Sequence, residues 1–558
     1  MSCKHAERAA MKLDLLIKNA NIHTMSELRP NANSVAIHDG KIVALDDEIP
    51  AGVTFQQIMD LDGASVIPGF NDAHAHSTWF GLSLMEVNLA DARTALQVYE
   101  RIETKAATLA ADEWVIAAGF SPLLLEGPEL DRDQLDRAAG GRPVWIKHSS
   151  GHAAHVNGVA LQRIAERNDL SEPITGGVVV RDASGRVTGL LEETAMQLVR
   201  DLVLPYSSDT IVQALDLATA HYVKEGLTSV TDAGIGGGWI GYSPNEFAAY
   251  QAALERGKLR TRMQPMVVLD ALESITGHAE DGPLLGLRPG VRSGLGNEHL
   301  SIGPVKIFTD GSLLGTTAYM HEDYVGCPGN HGYLQMPPED LRDAALAAAS
   351  AGWALALHAI GDRAIDHAID IIAEARSRFG QRALPDRIEH GGVVSDHQLD
   401  AMGKHGIALV PQPHFITEFG DGMSRVLGEE RAALSYPARR ALDHGVVLPG
   451  SSDRPVSEGR PLSVIQAFID RKPPSGTVYG PNERLTVMEA FRAYSVGSAR
   501  ATGFAGVKGE LVAGQLADLA VLSDDPLTSD PHSIAQIQVV ATMVGGQIVY
   551  GHDSISFN

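Results

Sequence analysis

The middle of this chain alternates between apolar runs and helical patterns, and this alternation constrains the fold more than any other feature. The runs are continuously apolar, which is typical of strands buried on both faces of a parallel sheet. Eight such strands, most followed by a helical pattern, predict an α/β protein built on a (β/α)8 TIM barrel. The runs are SVIPGF, LTSVTDAG, TRMQPMVVL, IGPVKIFTDG, WALALHAIG, DRIEHGG, IALVPQP and VVLPGSSD.

Two β-rich ends flank this middle. Asp39-Gly40 near the N-terminus and Gly545-Gly546 near the C-terminus are hairpin signals between strand-like segments. Chain termini often lie close together, so both ends are expected to meet in one small sheet domain. We assign residues 1–66 and 500–558 to that domain.

The barrel is assigned to residues 67–499. The interval after the first apolar run is far longer than the others, and it contains strand signals of its own, PVWIKHSS and GGVVVRDASGRVTG. We therefore expect an inserted subdomain at about residues 85–205, after the first barrel strand.

Metal-capable side chains occur at the ends of five of these runs, where the functional residues of such barrels lie. The first run is followed by two histidines one residue apart, which a strand would place on one face, and neutral imidazoles are common metal ligands. Each residue alone has an ordinary explanation, such as a core histidine or a helix cap. Lys306 inside an apolar run is harder to dismiss, because a buried unpaired ammonium is costly. The set is His74, His76, Lys306, His358, His390 and Asp453.

Composition limits the possible partners. The chain has 558 residues and a formal net charge of -24, which argues against nucleic acid or an anionic membrane as the main partner. With only two cysteines, a disulfide framework is not expected. We find no apolar run long enough to span a membrane and no signal-peptide segment, so the expected location is the cytoplasm. A homodimer is the base-rate expectation for the assembly.

Seven motifs spread over nearly the whole chain resemble those of the metal-dependent amidohydrolase superfamily. The resemblance is strongest to the branch that contains N-substituted formamide deformylase. The motifs are VIPGFNDAHAH, GHAAHVN, VKIFTDGSLLG, LHAIGDRAID, RIEHGG, GSSDRPV and KGELVAGQLADLAVLS.

The resemblance implies a β-sandwich made from both chain ends and one or two divalent metals at the barrel mouth. In such proteins His74, His76 and Asp453 would hold the more buried metal. His358 and His390 would hold the second, and Lys306 would bridge the two as an N-carboxylated lysine. Zinc suits these donors, with iron or manganese as alternatives. A single-metal site, with Lys306 unmodified and paired to a carboxylate, remains open.

The implied reaction is hydrolysis of a C–N bond of a small-molecule amide by metal-activated hydroxide. Asp453 would take a proton from the attacking water and return it to the leaving nitrogen. The oxyanion would be stabilised by a metal or by His152, which lies in the inserted segment.

Five further residues are candidates for supporting roles, each with an alternative. His152 is either a substrate contact or a histidine packed within the insert. Trp79 and His414 either line the pocket or pack ordinarily. Asp72 and Asp310 either orient metal ligands from behind or serve local structure.

The function expected first is hydrolysis of an N-substituted formamide or another N-acyl amine. A cyclic amide or imidazolone hydrolase and a mononuclear deaminase are alternatives on the same scaffold. A non-catalytic barrel acting as a binding module is disfavoured, because all six ligand positions carry competent groups.

Overall fold

The computed structural model describes residues 12–149, 153–172, 174, 177–238, 240–278, 280, 284–288, 290–551 and 556–557. The chain divides into two compact units. The first unit comprises residues 1–77 and 215–558, and the second comprises residues 78–214. The α/β class predicted from the sequence is confirmed by the mixture of helices and parallel strands in the first unit.

Both chain ends contribute to two sheets in the first unit. One has five strands in the order Ser556–Phe557, Thr54–Asp60, Lys12–Lys18, Val35–His38 and Lys41–Leu45. The other has six in the order Gln547–Tyr550, Val539–Val544, Leu519–Leu522, Ser65–Pro68, Asn21–His23 and Asn31–Ala32. Leu15 and Ile17 of the first sheet share a buried apolar cluster with Val66, Leu519 and Val521 of the second.

The two hairpin signals form tight turns. Asp39 and Gly40 have φ of 49° and 70°, and Gly545 and Gly546 have φ of 56° and 75°. Positive φ at both central residues is the geometry that two-residue hairpins favour, because it matches the twist of the flanking strands.

Parallel strands form the centre of the first unit, and we number them barrel strands 1 to 8. Barrel strand 3 is interrupted, and the position of barrel strand 8 is taken by an irregular segment that forms hydrogen bonds to both neighbouring strands. The bounds are Phe70–Ala75 (1), Leu227–Asp232 (2), Arg262–Met263 with Val267–Val268 (3), Val305–Phe308 (4), Leu355–Ala359 (5), Arg387–His390 (6), Ala408–Val410 (7) and 447–453 (8).

Hydrogen bonds close these strands into a ring. Barrel strands 1, 2 and 3 pair in parallel, as do barrel strands 3 to 7. Leu409 N donates to Val447 O at 3.1 Å, which attaches barrel strand 8 to barrel strand 7. Ala73 N donates to Gly450 O at 3.0 Å, which joins barrel strand 8 to barrel strand 1.

The expected first strand, SVIPGF, is in fact two strands in different sheets. Ser65–Pro68 belongs to the six-stranded chain-end sheet, and barrel strand 1 starts at Phe70. Gly69 alone separates them, and a Cβ at position 69 would lie 2.2 Å from Thr228 Cγ2 on barrel strand 2. Only glycine allows that close approach, so the break is built into the sequence.

Helices pack around the barrel strands of the first unit. Asp362–Phe379 illustrates why they form, since Ala364, Ile365, Ala368 and Ile372 recur at helical spacing and are all buried. The helices are Ser208–Lys224, which continues from the second unit, Glu246–Glu255, Pro338–Ser350, Asp362–Phe379, Asp396–His405, His414–Leu427, Glu429–Ala433, Arg439–Asp443, Pro461–Asp470, Val487–Arg492 and Ser498–Ala501, with a π-helix at Ala493–Gly497. The described part of this unit also contains a small antiparallel pair, Glu273–Ile275 with Leu284–Gly286, and 3-10 turns at Asp46–Glu48, Leu269–Ala271, Pro481–Glu483 and Pro531–Gln536.

The second unit has its own six-stranded sheet. The strand order is Gly177–Arg181, Val187–Glu193, Ala153–Val156, Val144–His148, Val115–Phe120 and Val87–Asn88. Its helices are Ser77–Met85, which begins at the last residue of the first unit, Ala95–Ala106, Arg132–Ala138, Gly158–Ala165 and Gln197–Val203, with 3-10 turns at Pro122–Leu124 and Thr194–Met196. Two apolar clusters, one centred on Val98 and Ile146 and one on Ile164 and Leu191, form its core.

In the part of the chain that the structure describes, no helix has the length and apolar character needed to cross a membrane.

Candidate metal centre

Barrel strand 1 brings two predicted ligands to one carboxylate. His74 lies near the end of the strand and His76 directly follows it, and both imidazoles are buried. Their ring centroids are 5.6 Å apart. His76 Nε2 lies 2.9 Å and His74 Nε2 lies 3.3 Å from the same oxygen, Asp453 Oδ1. The His-x-His pattern therefore converges on the carboxylate at the end of barrel strand 8.

Two more predicted ligands join from barrel strands 5 and 6. The ring centroid of His390 is 4.9 Å from that of His74 and 4.5 Å from that of His358. One ligand atom each from His74, His390 and Asp453 lie within 4.8 Å of one another, close enough for the three to belong to one metal centre. The neighbouring ends of parallel strands thus place these side chains together, as the barrel architecture requires.

Lys306 lies on barrel strand 4 and is buried. Its Nζ is 4.9 Å from the centroid of the Phe308 ring, and that ring is 5.2 Å from the His358 ring. Burial lowers the pKa of Lys306 to about 8, and the negative charges of Glu389 and Asp453 oppose that shift. The amine therefore has anionic neighbours that belong to the same cluster.

The electrostatic state of the cluster suits metal binding. Burial lowers the pKa of His358 to about 3 and lowers the pKa of His390 well below its usual value, which favours the neutral imidazole. Burial alone would raise the pKa of Asp453, but the close approach and charge of His74 and His76 hold it well below its usual value. Neutral imidazoles and an ionised carboxylate are the protonation states that bind metals.

Several buried atoms at this centre lack a hydrogen bond within the described part of the chain. They are His74 Nε2, His358 Nδ1 and Asp453 Oδ1. Buried polar atoms without partners are costly, so native structures usually satisfy them with an ion or water. These atoms are imidazole nitrogens and a carboxylate oxygen, the donor types that divalent transition metals prefer, so the residues present fit such an ion.

Backbone geometry at the centre is unusual. His390 has φ of 73° and Asp453 has φ of 58°, which is the left-handed region that non-glycine residues rarely adopt. Strain of this kind persists only where the surroundings enforce it and clusters at functional sites. Both residues are predicted ligands, and both end a barrel strand.

The predicted supporting carboxylates, Asp72 and Asp310, accept hydrogen bonds mainly from backbone N–H groups next to the predicted ligands. Asp72 accepts hydrogen bonds from His74 N at 3.0 Å and from Ser452 Oγ at 2.6 Å, which ties barrel strand 1 to the segment before Asp453. Asp310 accepts three backbone N–H groups, from Tyr319, Ile360 and Gly361, and its Oδ1 lies 3.5 Å from His358 Nε2. Burial raises the pKa of Asp72 to about 6 and that of Asp310 to about 7.

The predicted pocket residues fall in different places. His414 begins the helix after barrel strand 7 and is buried, with Nδ1 3.2 Å from Glu418 Oε1 and Nε2 3.7 Å from Glu458 Oε2. Trp79 is half-buried in the helix Ser77–Met85 and belongs to the second unit. His152 lies outside the described residues. The substrate-binding roles given to them from the sequence stay predictions.

Three residues at the centre were not anticipated from the sequence. His74 Nδ1 donates a hydrogen bond to Glu389, which Arg387 holds through two further hydrogen bonds of 2.5 and 2.9 Å. His390 Nδ1 donates to Gln412 Oε1 at 2.6 Å. The available signal for Arg387 and Glu389 was two charged residues inside a short buried strand, whereas Gln412, which follows barrel strand 7, carried no charge to mark it.

A ring of parallel strands with buried histidines and an aspartate at the strand ends defines the class of metal-dependent hydrolase barrels. The family model described as "Amidohydrolase family" matches residues 57–550 of this chain. The chain therefore belongs to the amidohydrolase family and is a metal-dependent hydrolase that acts on C–N bonds.

Similar proteins cover the chain almost completely. Protein LONG AFTER FAR-RED 3 of Arabidopsis thaliana is 30% identical over 553 residues, covering 97% of this chain and 92% of that protein. N-substituted formamide deformylase of Arthrobacter pascens is 28% identical over 550 residues, covering 96% and 98%. A crystal structure of an uncharacterized metal-dependent hydrolase from Pyrococcus horikoshii OT3 superimposes with a TM-score of 0.75 at 26% identity, covering 93% of this chain and 99% of that one.

Proposed function

We propose that this protein hydrolyses the amide bond of a small N-acyl amine, most specifically an N-substituted formamide. The observation that carries the proposal is the convergence of His74, His390 and Asp453, whose ligand atoms lie within 4.8 Å of one another at the strand ends. The formamide part is supported by similarity to the deformylase of Arthrobacter pascens, whose name states its substrate class.

We assign His74, His76 and Asp453 to one divalent cation and His358 and His390 to a second. Lys306, in N-carboxylated form, would supply oxygen donors to both. Carboxylation joins the neutral amine to carbon dioxide with loss of one proton to solvent, and gives an anionic carbamate with two oxygen donors. Burial of Lys306, which favours its neutral amine, supports that step. Zinc suits these ligands, and iron or manganese are the alternatives.

A bound cation supplies Lewis acidity, which acidifies water and polarises an amide carbonyl. Asp453 has the position of the proton carrier, because it is buried at the centre with its Oδ1 beside both His74 and His76. It takes one proton from the attacking water and gives it to the leaving nitrogen as the C–N bond breaks. The products are a carboxylic acid, formic acid in the formamide case, and an amine.

The proposal extends to the domain organisation. The two chain-end sheets form a β-sandwich, supported by the buried apolar cluster that their strands share. Residues from about 85 to 205 form an insert after barrel strand 1.

The test begins with the metal content of the purified protein, in moles per chain. The loaded protein is then given a panel in which each amine is offered both as its formyl and as its acetyl amide, and free amine is measured. Faster release from the formyl members supports a deformylase, and equal release supports a broader N-acyl amine hydrolase. Ammonia release from ring substrates would replace the proposal with a deaminase. No turnover of any amide by metal-loaded protein would overturn it.

A further inference from the structure

Three of the predicted imidazole ligands are each held through one ring nitrogen. His390 Nδ1 donates to Gln412 Oε1 at 2.6 Å, and His358 Nε2 donates to Gly311 O at 3.0 Å. His74 Nδ1 donates to Glu389 Oε2. In each ring the other nitrogen is then the one left for a cation, because a ring nitrogen that carries the donated proton has no lone pair for a metal.

The partner of His74 differs from the other two. Gln412 and Gly311 offer neutral oxygens, whereas Glu389 is a carboxylate that is completely buried. Arg387 is equally buried and donates through Nε and Nη2 to the two oxygens of Glu389. Arg387 Nη2 also donates to Ala73 O at 2.5 Å, the carbonyl directly before His74. The guanidinium therefore fixes both the carboxylate and the backbone that carries the imidazole.

Stability alone is a weak explanation for this buried ion pair. Desolvating a carboxylate and a guanidinium is costly, and well-packed apolar side chains often replace such pairs without loss of stability. Arg387 Nη1 is moreover a buried donor without a hydrogen bond within the described residues. A reason for the pair is found instead in its third member, since a carboxylate behind a ligating histidine fixes the tautomer and makes the other nitrogen a stronger donor.

We propose that Glu389, held in place by Arg387, is a positioning residue for the metal centre that acts through His74. It keeps the proton of His74 on Nδ1, directs Nε2 towards Asp453, and raises the affinity of the centre for a divalent cation. The inference rests on the metal-binding part of the proposed function and is independent of which amide is cleaved.

The test compares metal affinity in three proteins: wild type, Glu389→Gln and Glu483→Gln. Glutamine keeps the shape of Glu389 and its carbonyl oxygen but removes the charge. Glu483 is the matched control, because it is also a buried glutamate held by an arginine, Arg440, outside the centre. Each apoprotein is titrated with Zn²⁺ against a chromophoric chelator, and the absorption spectrum of the Co²⁺-loaded form reports ligand geometry.

We expect E389Q to bind Zn²⁺ roughly 10- to 100-fold more weakly than wild type, the range found when the partner of a ligating histidine is removed. Its Co²⁺ spectrum should shift, while E483Q should match wild type in both respects. Unchanged affinity and spectrum in a folded E389Q would overturn the inference and leave the proposed function intact. Failure of the wild type itself to bind any of Zn²⁺, Fe²⁺ and Mn²⁺ would instead overturn the proposed function.

If E389Q does not fold, Arg387→Lys provides the second test. Lysine keeps the positive charge but cannot hold both oxygens of Glu389 in a fixed fork. We expect a smaller loss of Zn²⁺ affinity in R387K, and affinity equal to wild type would overturn the inference.

Discussion

At the scale of single residues, the centre depends on side chains whose chemistry changes because they are buried together. Lys306, Glu389 and Asp453 would each be costly to bury alone, and each lies where an oppositely charged or metal-binding partner is available. Removing one of these groups should therefore affect metal binding or turnover more than it affects the stability of the fold. Two substitutions separate the proposed roles.

Lys306→Ala should lower kcat/KM by roughly 10²–10³-fold, the scale of removing one electrostatic contact from a transition state. The space left by the side chain should admit a short carboxylic acid, so added formate or acetate with metal should restore part of the activity. The control is Lys508→Met, which removes another buried lysine outside the centre. Wild-type rates in K306A without additive would rule out a bridging role.

Asp453→Asn should retain much of the bound metal and lower kcat by roughly 10²–10⁴-fold, the range for loss of a general acid–base group. The amide oxygen can still coordinate, but the amide cannot carry the proton. Metal content and turnover are measured on the same sample, with Asp396→Asn at the exposed start of a helix as the control. Undiminished turnover would show that the proton is carried by another group.

At the scale of elements, the ring of barrel strands begins with a tight contact. Gly69 lies against Thr228 of barrel strand 2, and this approach lets the chain leave the six-stranded chain-end sheet and enter barrel strand 1 at once. Because His74 lies on that strand, its position is coupled to this packing.

Gly69→Ala should destabilise the protein by about 1–3 kcal/mol, the usual cost of overpacking. The double variant G69A/T228A should recover part of the loss, since it removes the two side-chain atoms nearest the new methyl group. Denaturant midpoints and metal content of the wild type, both single variants and the double variant form the measurement. If the stability losses of the two single variants simply add up in the double variant, the contact between residues 69 and 228 is not the cause of the loss.

The sequence predicts which strands and helices form better than it predicts where each one begins and ends. The sequence predicts Lys306, His358 and His390 as ligands because polar groups within apolar runs or at their ends stand out. The predicted start of barrel strand 1 is too early, because Gly69 lies within one apolar run yet separates strands of two sheets. Glu389 was missed because its partner, His74, is distant along the chain, and only the fold brings them together.

At the scale of the whole molecule, the first unit joins its chain-end sheets to the barrel through buried polar contacts. Arg262 on barrel strand 3 forms two hydrogen bonds with Asp518, of 2.7 and 2.9 Å. Beside them Lys508 Nζ donates to Ser229 Oγ on barrel strand 2. These contacts are specific, but they include a buried amine that is expensive to keep charged.

This cost predicts a pH dependence of stability. Burial lowers the pKa of Lys508 from 10.5 to about 7, so between those values the unfolded chain binds more protons than the folded one. The contribution of Lys508 to the free energy of unfolding is therefore fully present above pH 10.5 and is lost as the pH falls through about 7. Each unit of pKa corresponds to about 1.4 kcal/mol, so the effect should reach a few kcal/mol.

Lys508→Met removes the titrating group, and its unfolding should depend less on pH than that of the wild type. Melting temperatures of both proteins are compared at pH 7 and pH 9.5. We expect the melting temperature of the wild type to rise relative to that of K508M at the higher pH. If the melting temperatures of the two proteins change equally with pH, Lys508 is not the group responsible for the pH dependence.

Closure of the ring by barrel strand 8 has a consequence for how the protein matures. Asp453 N donates to His74 O at 2.7 Å, so the two ends of the barrel meet at the metal centre itself. During synthesis the ribosome releases His74 long before Asp453 exists, and a nascent chain holds an incomplete set of ligands until its last quarter has emerged. The full ligand set can therefore form only late in synthesis, and we expect chains made under chelation and loaded afterwards to reach the same metal content as chains made with metal present.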